Sequence, residues 1–178
     1  MKSKKYKIVL TGPESTGKSS LSEKLAEHYN TIWLPEYART YLSTKGSAYN
    51  IEDVIHIAHR QPELESSELE KANKILFIDT DLIITKYWFL EVYSNMPENL
   101  DDEITKNQAD LYLLCFYDLP WEPDPLRENG GERRIYLYNL YLKELRMRNC
   151  NYKIIQGIGE ERVKAAIQIV DDFLNKPI

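Results

Sequence analysis

Tyr6-Lys7-Ile8-Val9-Leu10-Thr11-Gly12-Pro13-Glu14-Ser15-Thr16-Gly17-Lys18-Ser19-Ser20-Leu21 passes from a short apolar run, through a loop framed by two glycines, into a stretch of helical character. Residues 12–19 satisfy the pattern GxxxxGK[ST], and the strand before it and helix after it are the context that gives the pattern meaning. At this spacing, successive backbone N–H groups turn inward around phosphate oxygens while the helix N-terminus adds its partial positive charge. Gly12 and Gly17 permit that path. The candidate nucleotide contact therefore comprises Gly12, Pro13, Glu14, Ser15, Thr16, Gly17, Lys18, Ser19 and Ser20. Lys18 would reach the β- and γ-phosphates of ATP, and the Ser19 hydroxyl would ligate Mg²⁺.

Outward from this loop, short apolar runs alternate with longer stretches of helical period. Strands are expected at residues 6–10, 31–34, 75–78, 111–116 and 152–155, each near-continuously apolar, as a strand covered on both faces should be. Helices are expected at 18–29, 51–73 with a kink at Pro62, 82–93, 134–148 and 160–174. The pattern predicts an α/β fold: a three-layer sandwich of the P-loop NTPase and nucleoside-kinase type, with a five-stranded, mostly parallel sheet. With 178 residues and 43% hydrophobic composition, a single domain spanning 1–178 is expected. Residues 37–50 and 118–133 break the rhythm. Both follow strands, where an open α/β sheet presents its ligand crevice.

Composition narrows the partners. Acidic residues outnumber basic ones 28 to 23, with no basic tail or stripe, which argues against nucleic acid. The two cysteines, Cys115 and Cys150, suit neither a disulfide framework nor a zinc site, so a reducing cytoplasm is the expected compartment. The apolar stretch after the basic N-terminus is too short for a signal sequence or a membrane span. His56 and His59 stand three apart on an expected helix with no third ligand in view, as on any helix face.

A second acid is expected at the end of a neighbouring strand, and Ile75-Leu76-Phe77-Ile78-Asp79-Thr80-Asp81 offers two. Asp79 and Asp81 point the same way if the extended conformation persists, because strand side chains repeat every two residues. Asp79 is then a candidate for the metal shell or the acceptor, and Asp81 for catalysis and substrate binding. Asp81 also stands where an N-cap of the following helix belongs. On the acceptor side, Glu36 is placed to take a hydroxyl proton or bind a sugar, and Arg39 to bind phosphate or hold Glu36. Tyr37, Tyr41, Trp88 and Trp121 are candidates for an aromatic wall.

Three classes share this loop. The guanine-reading NKxD motif is absent, and the chain is short for an oligomeric motor ATPase, which leaves a kinase of a small acceptor. Such an enzyme must close over its phosphates to exclude water. Residues 118–134, with three prolines, Gly130-Gly131, Arg127 and Arg133, are the expected lid, and both arginines are candidate nucleotide contacts. Arginines paired with Glu128 and Glu132 on a solvated loop are the plainer alternative.

The segments GPESTGKS, PEYARTYL, FIDTDLIITKYW and WEPDPLR, in this order, resemble the ribosylnicotinamide kinase domain of NadR-type NAD-salvage proteins, and the likeness extends from about Lys7 to the final helix. The resemblance implies transfer of the ATP γ-phosphoryl to the 5′-hydroxyl of nicotinamide riboside. It assigns Lys18 and Ser19 to the triphosphate and Mg²⁺, Asp79 to the metal shell or acceptor, and Arg127 to the lid contact. Larger members of that group also carry an adenylyltransferase, whose HxGH signature is missing here, so formation of the mononucleotide alone is expected. A P-loop ATPase, a kinase of another nucleoside or metabolite, and a regulatory ATP-binding module stay open as alternatives.

Overall fold

The computed structural model describes residues 4–46, 48–124 and 129–175. Five strands, β1 (Tyr6–Thr11), β2 (Ile32–Leu34), β3 (Ile75–Asp79), β4 (Leu111–Cys115) and β5 (Tyr152–Ile155), form one sheet in the order β2-β3-β1-β4-β5. Every pairing is parallel. Parallel neighbours need crossovers, which contain α1 (Lys18–His28), α3 (Ile51–Lys71), α4 (Leu82–Trp88) and α6 (Glu132–Met147), while α7 (Gly159–Leu174) follows the last strand and packs back on the sheet.

The apolar runs are continuous because each strand feeds two cores. Ile8, Leu10, Ile75, Phe77, Leu111, Leu113 and Cys115 pack with Leu21 and Leu25 of α1 and Ala166 and Val170 of α7. The alternate residues Val9, Leu76, Ile78, Tyr112 and Leu114 pack on the other face with Val54 of α3, Ile83 of α4 and Leu137 of α6. This is the three-layer α/β sandwich expected from the sequence, with a sheet that is wholly parallel.

Two local expectations are corrected. Residues 37–45 are not irregular but form α2 (Tyr37–Lys45), which ends at Gly46, φ +101. The expected helix through Pro62 is α3, Ile51–Lys71, secured at its start by a capping box between Asn50 and Asp53. After Trp88 the chain enters one π-helical turn, Phe89–Tyr93, and a further short helix, α5 (Leu100–Lys106), precedes β4. No helix among the described residues is long and apolar enough to cross a membrane.

Candidate active site

The parallel sheet directs its strand ends to one edge, and the glycine-framed loop lies there between β1 and α1. Gly12 has φ +139, and a Cβ on it would lie 2.7 Å from the Cys115 carbonyl oxygen, so the loop's close passage over β4 requires glycine. Gly17 caps α1 in the left-handed conformation, and Ser15 shares that conformation at φ +55. Lys18 Nζ donates to the Pro13 carbonyl at 2.9 Å, folding the ammonium back across the loop, and Thr16 Oγ1 donates to the same oxygen at 2.8 Å.

Strand register brings in the first acid. Asp79 is the β-partner of Leu10, one residue before the end of β1, and its Oδ2 accepts from Ser19 Oγ at 2.5 Å. A hydroxyl and a carboxylate thus meet at the start of α1. Hard oxygen donors in such a pair suit Mg²⁺.

Asp81 goes elsewhere. Thr80 takes φ +74, which ends the strand alternation after Asp79, so the two carboxylates do not share a direction. Asp81 sits at the N-cap of α4, 7% exposed, and does not line the cleft; its Oδ1 has no hydrogen-bond partner among the described residues. Burial, reinforced by the Glu65 carboxylate, pushes its carboxyl up to about 7. Gln61 of α3 spans this region, donating to Glu65 at 3.1 Å and to the Thr80 carbonyl at 3.3 Å.

A cleft of about 690 Å³ opens from the loop. Gly12, Glu14, Ser15, Thr16, Gly17, Lys18, Ser19 and Ser20 of the loop line it, together with Glu36, Arg39, Tyr49, Trp88 and Glu91 from other elements. Burial pushes the Glu36 carboxyl above its ordinary range and nearby Asp79 adds to the rise, against the cations Lys18 and Arg39. Arg39 also pairs with Asp124, 2.9 Å away in the segment after β4. The expected aromatic wall is only partly the observed one. Trp88 lines the cleft, but its partner is Tyr49, whose ring lies 5.0 Å away edge-on and whose hydroxyl accepts from the indole N–H at 3.2 Å.

Tyr37 and Tyr41 are not part of the cleft lining. Tyr37 hydroxyl bonds His56 Nε2 at 2.9 Å, and Tyr41 hydroxyl donates to Asp53 at 2.8 Å, so both secure α2 on α3. Trp121 packs against Gly130, with the Arg134 guanidinium 5.8 Å from its ring, and is likewise absent from the lining. Arg127 lies outside the described residues.

Among the described residues, the segment after β4 and the head of α6 meet the other cleft walls at several points, Ser15 Oγ accepting from the Glu122 N–H at 3.2 Å among them. Arg39 holds Asp124. Glu14 accepts from Asn129, at 2.9 Å from its backbone N–H and 3.1 Å from its side-chain amide. Arg133 lines the cleft and pairs with Glu91 of the π-helical turn at 2.5 Å, while Tyr136 donates to the same carboxylate at 3.0 Å. Sequence reading missed Tyr49, Glu91 and Asn129. Ile84, Trp88 and Glu91 recur at helical spacing, which is the signal that could have found Glu91. Nothing local marks Tyr49 beyond its place in an irregular stretch.

The family model described as an AAA domain matches residues 7–162. The chain is 30% identical over 176 residues to the trifunctional NAD biosynthesis/regulator protein NadR of Salmonella typhimurium (strain LT2), covering 95% of this chain and 43% of that protein. The chain therefore spans less than half the length of this curated relative. Among solved structures, a NadR protein in complex with NAD and AMP-PNP is similar with a TM-score of 0.74 at 21% identity, over 98% of this chain and 51% of that one. A thymidylate kinase from Ehrlichia chaffeensis is similar with a TM-score of 0.64 at 13% identity, over 94% of this chain and 99% of that one. At such identities the structural likeness speaks to the fold, which is of the P-loop kinase type, and the resemblance to NadR-type proteins holds along nearly the whole chain.

Proposed function

The chain belongs to the AAA-domain family, and from that premise we propose that it is an ATP-dependent kinase of a small nucleoside-like acceptor, with nicotinamide riboside the favoured substrate and its 5′-hydroxyl the acceptor. The observation that carries this reading is one cleft lined both by the phosphate loop and by Glu36, Tyr49 and Trp88. A phosphoryl donor and an acceptor alcohol must meet in one such space.

Each residue then has a role. The loop amides cradle the triphosphate, and Lys18 leaves the Pro13 carbonyl to take a phosphate oxygen. Ser19 and Asp79 would hold Mg²⁺, which when bound neutralises charge on the transferring group. Glu36 accepts or orients the attacking hydroxyl, and its raised carboxyl is poised for proton exchange. Residues 118–134 act as a lid, with Arg133 within reach of the phosphates once it leaves Glu91, and with Arg127 as its second cation. A cationic pyridinium ring suits the acceptor end, where Glu36 and Glu91 supply negative charge and Tyr49 and Trp88 supply aromatic faces. The single domain with this lid, and the cytoplasm as its compartment, complete the proposal.

A coupled ADP-release assay over nicotinamide riboside, uridine, cytidine and deoxynucleosides tests it. Nicotinamide riboside should give the highest kcat/KM. Turnover only with another nucleoside would reassign the acceptor, and no acceptor-dependent ADP would favour a regulatory ATP-binding module. Lys18→Ala should lower kcat by at least about a hundredfold with the fold retained, because it removes charge at the transferring phosphate and little packing.

A further inference from the structure

Two arginines behind the phosphate loop are absent from the cleft lining, and both are nearly inaccessible: Arg134 is 7% exposed and Arg162 is 4% exposed. Arg134, from the first turn of α6, donates through Nη2 to the Ser15 carbonyl at 2.9 Å and through both Nη atoms to the Leu119 carbonyl at 3.1 Å. Arg162, from the first turn of α7, donates through Nη2 to the Thr16 carbonyl at 2.9 Å and to the Phe116 carbonyl at 3.4 Å. Its Nη1 meets the Gly157 carbonyl and Asp118 Oδ1, each at 2.9 Å, and Asp118 also accepts from the Gly157 N–H. Two guanidiniums from different helices therefore hold consecutive carbonyls of the loop.

The consequence follows from peptide geometry. In a planar trans peptide the carbonyl and the next residue's N–H point in opposite directions, and no peptide among the described residues is cis. Drawing the Ser15 oxygen toward Arg134 turns the Thr16 N–H away from it, and drawing the Thr16 oxygen toward Arg162 does the same for the Gly17 N–H. These are amides of the segment that must present donors to an anion. Besides Gly12, the loop has Ser15 at φ +55 and Gly17 at φ +73, a left-handed conformation that surrounding structure must hold in place for serine.

We infer that Arg134 and Arg162 are positioning residues for phosphate binding: they act through the loop carbonyls, fixing the Thr16 and Gly17 amides toward the anion without touching it. This rests on the proposed nucleotide reading of the loop. It extends that reading to two residues outside the cleft lining.

The test uses the whole chain with inorganic tripolyphosphate and Mg²⁺, titrated calorimetrically, and amide hydrogen exchange as a second readout. Arg162→Lys keeps the charge but not the planar fork that spans three carbonyls and a carboxylate; Arg162→Met removes both. Tripolyphosphate affinity should fall at least about tenfold in both, as for loss of charge-assisted hydrogen bonds. Exchange should quicken at Thr16 and Gly17 while β1 and β3 stay protected. Wild-type affinity in Arg162→Lys would overturn the inference, and so would an equal loss of protection in the loop and the strands, which marks a general destabilisation. Arg134→Lys reads the same two quantities should the Arg162 variants fail to fold. If the wild-type protein does not bind tripolyphosphate, the nucleotide reading falls and this inference with it; if wild type and variants bind alike, this inference falls alone.

Discussion

Between Asp79 and Asp81 the chain takes Thr80 into the left-handed region, and that one backbone angle separates two carboxylates that an extended strand would have aligned. Asp79 stays on the Ser19 hydroxyl at the loop, whereas Asp81 enters the protein at the head of α4. A β-branched residue at positive φ costs on the order of 1–3 kcal/mol, and such strain collects where a site needs an unusual path. The Gln61 amide on the Thr80 carbonyl helps to hold it. The two aspartates should therefore part company in kinetics. Asp79→Asn should lower kcat by about a hundredfold or more, since it weakens both the metal shell and the charge pattern of the site. Asp81→Asn should leave kcat within a few-fold of wild type. Equal losses in the two variants, measured by acceptor-dependent ADP release, would return Asp81 to the site.

At the scale of elements, α2 brings Glu36 at its N-cap and Arg39 to the cleft, and its union with α3 is polar. Asp53 at the start of α3 accepts from the Asn50 backbone N–H at 2.8 Å, from Tyr41 at 2.8 Å, and from Lys45 of α2. These donors, Lys45 foremost, hold the Asp53 carboxyl down at about 2, below its ordinary value of 3.8. A carboxyl lowered in the folded state binds fewer protons than in the unfolded chain between those two values, so stability rises with pH there. Its contribution is complete above about 4 and is lost as pH falls toward 2. Asp53→Asn should flatten the acid limb of the stability curve over that window and leave its shape near neutrality unchanged, as read from denaturant midpoints at several pH values. The same helix pair orients Glu36 and Arg39, so loosening it should also raise the acceptor KM. On the facing wall, the α4 stripe and its π-helical continuation place Trp88 and Glu91 toward the cleft, where helical spacing alone accounts for their shared face.

Across the whole molecule, the cleft is bridged by contacts from three different elements: Arg39 to Asp124, Glu14 to Asn129, and Glu91 to Arg133. Each joins a separate wall to the segment after β4 or to the head of α6. Ordering of the site is thus distributed, and a ligand that fills the cleft stabilises contacts on every side at once. Binding to the folded state alone adds RT ln(1 + [L]/Kd), about 2.7 kcal/mol at a hundredfold excess over Kd. For a domain of this size AMP-PNP with Mg²⁺ should raise Tm by about 5–10 °C. An acceptor added to that complex should raise it further. No shift with AMP-PNP, in a differential scanning measurement, would contradict nucleotide binding at the loop.

The sequence by itself determined the elements whose causes are local: the loop of residues 12–19, the apolar strands that two cores require, and the helices with a marked apolar face, together with the α/β class. Lys18, Ser19 and Asp79 were legible because a motif and a strand end place them. Tertiary structure alone decided what depends on distant partners. Thr80 broke the alternation on which Asp81 rested, and His56 and Asp53 drew Tyr37 and Tyr41 onto α3. Tyr49 reached the cleft because Trp88, 39 residues away, offered its indole N–H. Arg134 and Arg162 found the loop across separations of 119 and 146 residues. Periodicity and turn chemistry act over a few residues, whereas a buried guanidinium binds whichever carbonyls the fold leaves facing it, and that is known only once the sheet is assembled.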